Sequence, residues 1–444
     1  MFREVKKKTL YYQSMDITEF EHIQTGAKII FLENEDKHYS YAITYLTPAN
    51  DDRGIGHLVE HLVLRSSEKY GKDIYYKLLD DESYSYVGAT TYCDKTVYSA
   101  STSEQEKLYS IIKFYNEATL FANFSDTASL RDIFKEECYA EMNGALIAGR
   151  AYNEMLIKEK DKNYILDTII YKKIMNGTVY SNIPGGKSNK LTTVTLQDCI
   201  DYYQKYYSPT NCYVVIYGKV NKEECLDILG EYFKHFNKVS IPQFNKKEII
   251  QTWRNTHVHY NISTVKESIF SINWIIPLGN RPDSILHFYI IKELFKNNKN
   301  MYSNCFSYLD SDSLKKLFFI FDHSTYYPTF EVRLIIDYIV LQDIETFKKD
   351  VMKMIQTLFQ KITNSEIQVA IKSFLKKYNC QFKSVHYSKG LLYTLDLLSS
   401  WINYEQTHEN FDAFIQLNEV SIDEIRNLID KYLLNNKNLT IVLN

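Results

Sequence analysis

Apolar and polar positions alternate with a period of two from Ala27 to Leu32 and again from Tyr39 to Leu46, with the polar stretch Glu33 to Lys37 between them. Such alternation predicts two strands, and the short polar break predicts a hairpin. From Gly54 to Leu64 the apolar spacing becomes helical, and Lys95 to Thr102 returns to a strand pattern. Between Ser103 and Met175 the pattern is helical almost throughout, broken near Gly144 and Gly149. Pro184, Gly185 and Gly186 form a turn, lacking the Lys-Ser/Thr of a phosphate loop. A helix over Leu196 to Tyr206, a strand over Cys212 to Tyr217 and a helix over Lys222 to Phe236 follow.

The pattern then restarts. The stretch Asn237 to Asn261 is polar and rich in Lys and Asn, which marks an inter-domain linker. Boundaries are drawn at 1–240 for a first domain, 241–262 for the linker and 263–444 for a second domain. Strands are expected at Ser268 to Ile276, Leu317 to Asp322 and Phe330 to Tyr338. The segment VTLQDCIDYYQKYYSPTNCYVVIY, from Val194, aligns with VSIDEIRNLIDKYLLNNKNLTIVL, from Val420, at a constant offset of 226. Lys205 falls on Lys431 and Tyr206 on Tyr432. Two related α+β domains are the inference.

Composition narrows the class of partner. The 52 basic and 55 acidic side chains give a net charge of −3, without a dense basic run, so nucleic acid is not an expected partner. No uninterrupted apolar run is long enough to span a bilayer, and the start, MFREVKKKTLYYQ, lacks the apolar core of a signal peptide. Seven scattered cysteines with no CxxC pair suit a reducing, cytoplasmic setting. The 38 tyrosines favour strands and amphipathic contact surface.

Chemistry enters at Gly54-Ile55-Gly56-His57-Leu58-Val59-Glu60-His61, which contains H-x-x-E-H. On a helix His57, Glu60 and His61 leave one face, so two imidazoles can grip one Zn²⁺ while the carboxylate reaches a bound water. A metal-bound water is acidified toward neutral pH, and a neighbouring Glu can accept its proton. A third protein ligand is required, and two acidic clusters lie downstream: Glu136-Glu137 with Glu141, and Glu154. Spacing alone does not separate them. His257 and His259 share one face of a possible strand, but without a nearby acidic or cysteine partner they read as part of a polar linker strand.

The run HLVEHLVLRSSEKYGKD resembles the inverted zinc motif and following segment of the pitrilysin-type metallopeptidases. Downstream, GATTYCDKTVYSAST is similar to the strand pair lining that family's cleft, and FKEECYAEM takes the place of an acidic helix. GRAYNEM and TVYSNIPGGKSNKLTTVTLQDCIDYYQKYYSPTNCYVVIYG resemble the presequence-protease branch. The resemblance implies a zinc endopeptidase with Glu60 as general base and His57, His61 and Glu154 as ligands. Glu137, at the spacing of other branches, is the rival third ligand. An acidic residue seven positions before the third ligand, frequent in relatives, is missing: Ile147 precedes Glu154 and Leu130 precedes Glu137 at that offset.

The resemblance further implies that a peptide pairs with the strand edge at Gly88, Ala89 and Thr90, where this chain lacks the Asn-Ala usual in relatives. A peptide-binding Arg and Tyr supplied by later domains of relatives have no clear counterpart, with Tyr326, Tyr327 and Arg333 only weak substitutes. A two-domain chain corresponds to one half of a clamshell. The expected partner is a second half, a non-catalytic relative in a heterodimer or a copy in a homodimer. The alternatives are a non-catalytic peptide-binding subunit, or a protease dedicated to one precursor or leader peptide.

Overall fold

Residues 1–10, 14–67, 69–125, 127–142, 145–241, 256–260, 267–277, 282–298, 302, 305–306, 308–337, 344–381, 388–405 and 417–443 are described by a computed structural model. The segments YSYAITYL and KTVYSAST are rich in aromatic, β-branched and small residues and buried nearly throughout, the signature of strands covered on both faces. They lie inside a seven-stranded sheet. Its strands are β1 (Phe2–Leu10), β2 (Met15–His22), β3 (Lys28–Glu33), β4 (Tyr39–Leu46), β5 (Tyr84–Thr91), β6 (Lys95–Thr102) and a later strand, Cys212–Tyr217.

A short hairpin of β7 (Tyr139–Met142) and β8 (Ala145–Ala148) stands apart from that sheet, which makes Cys212–Tyr217 β9. The order is β1-β2-β3-β9-β4-β6-β5. The expected hairpin of β3 and β4 does not exist: β9 lies between them, parallel to β3 and antiparallel to β4. Alternation predicted the strands correctly but carries no information on which neighbour each one takes. The β1/β2 hairpin escaped the sequence reading because β1 is an edge strand of charged, exposed residues with no apolar face to detect. In the helical block, helix Ala128–Cys138 stops where β7 begins, so YAEM is strand rather than acidic helix.

The second sheet contains β10 (Thr256–Tyr260), β11 (Glu267–Ile275), β12 (Leu317–Asp322), β13 (Thr329–Asp337) and β14 (Leu439–Leu443), in the order β10-β14-β11-β13-β12. This repeats β3-β9-β4-β6-β5. In each, the last strand in sequence pairs parallel with one neighbour and antiparallel with the other. The repeat extends to helix starts. Thr195 and Asp198 form a capping box, as do Ser421 and Glu424, again 226 positions on. Both domains are thus α+β, each a mainly antiparallel sheet packed by helices.

By internal contacts the chain divides into Met1–Thr168, Gly177–Glu248 and Gln381–Leu398 as one unit, and Ile169–Asn176, Ile249–Cys380 and Ser399–Asn444 as the other. Each unit thus takes in one short segment from elsewhere in the chain, Gln381–Leu398 in the first and Ile169–Asn176 in the second. Linker residues 242–255 and 261–262 lie outside the described residues, and Thr256–Tyr260 belongs to the second sheet.

Much of the tyrosine is core rather than contact surface. Tyr41, Tyr45, Tyr98 and Tyr115 are fully buried in the first unit. Their hydroxyls find partners, as burial demands: Tyr45 with Thr119 at 2.8 Å, Tyr98 with Tyr207 at 2.8 Å, and Tyr41 with the Asn116 amide at 2.7 Å.

Candidate metal centre and active site

Helix α1 (Ile55–Val63) places Leu58, Val59, Leu62 and Val63 in the core, which turns His57, Glu60 and His61 toward the opposite side. Gly54 caps it at φ +74°, and a Cβ there would stand 2.5 Å from the Gly185 carbonyl oxygen. Only glycine lets the Pro184–Gly186 loop approach so closely. The two imidazoles meet edge to face, centroids 4.7 Å apart, with their Nε2 atoms separated by 3.1 Å.

The third donor comes from helix Arg150–Lys158. Glu154 Oε2 lies 3.4 Å from His57 Nε2 and 3.7 Å from His61 Nε2. Donors about 2.0–2.1 Å from a tetrahedral zinc are separated by roughly 3.3 Å, close to these three edges. These are also the residues that converge as a possible metal cluster among those described.

Both Nδ1 atoms are occupied. His57 Nδ1 lies 3.2 Å from the Gly185 carbonyl and His61 Nδ1 2.8 Å from Glu137 Oε2. These acceptors place the protons on Nδ1, so two Nε2 lone pairs face one another, an arrangement that requires a cation or a proton between them. Burial pulls the His61 pKa down, but bonds to Glu137 and Glu154 outweigh it and lift it to about 10. Glu154 is held well below the ordinary carboxylate range by the neighbouring imidazoles of His57 and His61.

Glu137 is completely buried. Burial would raise its pKa, yet the bond to His61 and the charges of His61 and Arg65 keep it low. Its Oε1 accepts from the buried Arg65 and, at 3.3 Å, from Arg150. Arg65 also binds Glu136. Glu137 therefore stands behind the imidazoles, on the Nδ1 side, outside the cluster of His57, His61 and Glu154. It lies 17 residues before Glu154 in the sequence.

Glu60 accepts a 2.5 Å hydrogen bond from Thr91 Oγ1, at the end of β5. That strand is the edge of the first sheet. Gly88 donates its N–H to the Tyr115 hydroxyl at 3.2 Å and accepts from it at 3.0 Å, so its backbone polar groups face inward. By strand alternation the N–H and C=O of Ala89 face the open edge, and those of Thr90 face inward. A Cβ at Gly88 would collide with the Tyr86 hydroxyl. A cavity of about 500 Å³ joins His57, Glu60, His61 and Glu154 to Ala89, Thr90 and Thr91.

Sequence reasoning dismissed Gly185 as part of a turn, although its carbonyl orients His57; a buried histidine in search of an Nδ1 acceptor was the available signal. Gly185→Ala would drive a methyl into Met155, beside Glu154. Zinc affinity is expected to fall roughly 10–100-fold, as for loss of an outer partner. A chelator-competition titration checks this, and unchanged affinity would remove the carbonyl from the site. Arg333 is spent on Glu331, through Nε at 2.6 Å and Nη2 at 2.9 Å, within the second sheet. The side chains of His257 and His259 lie outside the described residues.

Residues 47–160 match the family model described as "Insulinase (Peptidase family M16)", and residues 193–374 match "Peptidase M16 inactive domain". The chain belongs to the M16 peptidase family. His57, Glu60, His61, Gly88, Ala89, Thr90, Glu137 and Glu154 lie within the first of those matches, and Gly185 lies outside both. Among curated relatives, Protein HypA of Clostridium perfringens is 26% identical over 95% of this chain and 44% of its own length. The mitochondrial presequence protease of Schizosaccharomyces pombe is 28% identical over 57% of this chain and 26% of its own. The chain thus spans less than half the length of these relatives. A protease from Helicobacter pylori shares the fold, with a TM-score of 0.77 at 15% identity, covering 100% of this chain and 99% of that one. The second match begins in the first unit, at residue 193, and runs on into the second. In the second unit, helix Pro282–Asn297 follows β11 as α1 follows β4, and offers His287 without a second histidine four positions on.

Proposed function

We propose that this chain is the metal-bearing half of a zinc endopeptidase acting on short or unfolded peptides. The convergence of two imidazole nitrogens and one carboxylate beside Glu60 and an open strand edge carries this reading. His57, His61 and Glu154 would hold the ion. An ion held there would supply a water of near-neutral pKa and Lewis acidity toward a peptide carbonyl.

The remaining roles fall to the chain's own groups. Glu60 takes the proton from the attacking water and passes it to the departing amine, with Thr91 fixing the orientation of its carboxylate. Glu137 and the Gly185 carbonyl hold the imidazoles with Nε2 outward. A peptide laid antiparallel along β5 pairs with the outward N–H and C=O of Ala89, flanked by Gly88 and Thr90, whose own backbone groups face inward.

A second half, from a non-catalytic relative or from another copy, would close the chamber; the chain's span of 44% of HypA supports that need. Cysteines 93, 138, 199, 212, 225 and 305 are free thiols, in keeping with the cytoplasmic setting we assign. No helix among the described residues is long and apolar enough to cross a membrane.

The test is metal analysis coupled to a peptide-cleavage assay, with and without a co-purified second half. One zinc per chain is expected, with cleavage lost on chelation and restored by zinc. Cleavage by the stripped protein, or none by the loaded complex, overturns the proposal.

A further inference from the structure

Arg150, Glu154 and Lys158 stand on successive turns of one helix and so share a face. All three line the cavity beside the imidazoles. Two carboxylates, Glu60 and Glu154, share that wall with three cations, Arg65, Arg150 and Lys158. Both carboxylates are committed, Glu60 to Thr91 and Glu154 to the imidazoles. Lys158 is turned onto Glu154 Oε1 at 2.6 Å, and Arg65 is buried against Glu136 and Glu137. Arg150 is as exposed as Lys158, about half of each side chain, but its ion pair is the longer of the two, 3.3 Å to Glu137 against 2.6 Å from Lys158 to Glu154.

Arg150 is also held in place. Its guanidinium carbon lies 4.8 Å from the Tyr76 ring centre, and its Nη1 bonds to Glu137 and to the Tyr76 hydroxyl. Those bonds all leave from Nη1, and the guanidinium has further N–H donors on Nη2 and Nε. A cation stacked and pinned in this way loses little freedom on binding, and a planar fork suits a carboxylate. A concave wall strengthens its field.

We propose that Arg150 is a specificity-determining residue that binds an Asp or Glu side chain of the peptide close to the bond to be cut. One helical turn separates Arg150 from Glu154, about 6 Å along the axis. An extended peptide covers that distance in about two residues, so the acidic side chain lies within two positions of the scissile bond. This inference rests on the peptidase reading for its substrate, but its test does not depend on turnover.

The experiment measures binding of three otherwise uncharged peptides, carrying a single central Glu, Gln or Lys, to the zinc-loaded Glu60→Gln protein with its second half. The Glu peptide is expected to bind about tenfold more tightly than the Gln peptide, and the Lys peptide more weakly than either. In Glu60→Gln/Arg150→Glu the order inverts. Equal binding of the three, or an unchanged order with all affinities lowered together, overturns the proposal and leaves Arg150 a support for Glu137. If the binding order holds while the wild-type protein cuts none of the peptides, the peptidase reading fails and the carboxylate site stands.

Discussion

Replacing Glu60 by Gln is expected to lower peptide hydrolysis by roughly 10²–10⁴-fold while leaving zinc in place. Gln has nearly the shape of Glu, and its carbonyl can still accept the 2.5 Å bond from Thr91. What it loses is basicity: an amide cannot take a proton from a water and return it to a leaving amine. Glu60 is not one of the three converging donors, so metal content should match that of the wild type. A fall in kcat with little change in KM would mark the loss as one felt in the transition state. Hydrolysis retained near the wild-type rate would assign the base to another group, and zinc lost with the activity would make Glu60 a support for the metal site.

The sequence made the centre of the site legible because a helix converts spacing into geometry. His57, Glu60 and His61 had to share a face once Gly54 to Leu64 was helical. Strands Lys95 to Thr102 and Leu317 to Asp322, and the helix Leu196 to Tyr206, were placed with the observed ends. The duplication was legible as well, since an offset of 226 survived in side-chain identities and proved to hold for both capping boxes. What could not be read was long-range pairing. Nothing in Ala27 to Leu46 announces that a strand whose Tyr213 pairs with Lys28, 185 residues earlier, will enter between its two halves. The same limit hid Glu137 and Gly185, which reach the imidazoles from 76 and 128 residues away. Family spacing offered Glu137 as a possible ligand. Only the fold brings it to Nδ1 rather than to Nε2.

That placement leads to the second large effect, a difference between two glutamates that spacing treated as rivals. Glu154→Ala removes a donor whose oxygen lies 3.4 Å and 3.7 Å from the two Nε2 atoms, leaving a two-imidazole site. Zinc is expected to be lost at concentrations that saturate the wild type, and hydrolysis with it. Glu137→Gln should weaken zinc by roughly 10–100-fold, because the amide oxygen can still accept from His61 Nδ1 but no longer carries the charge that stiffens the ring. Glu137→Ala is the harsher change. It leaves Arg65 buried without one of its two carboxylate partners, a loss that costs about 3–5 kcal/mol when a buried ion pair is broken, so its effect would be confounded with unfolding. The informative pair is therefore Glu154→Ala and Glu137→Gln, compared by competition against a chelator after circular dichroism has shown both folded. Should Glu137→Gln abolish binding and Glu154→Ala merely weaken it, the third ligand is Glu137, and the side chains must rearrange when metal enters.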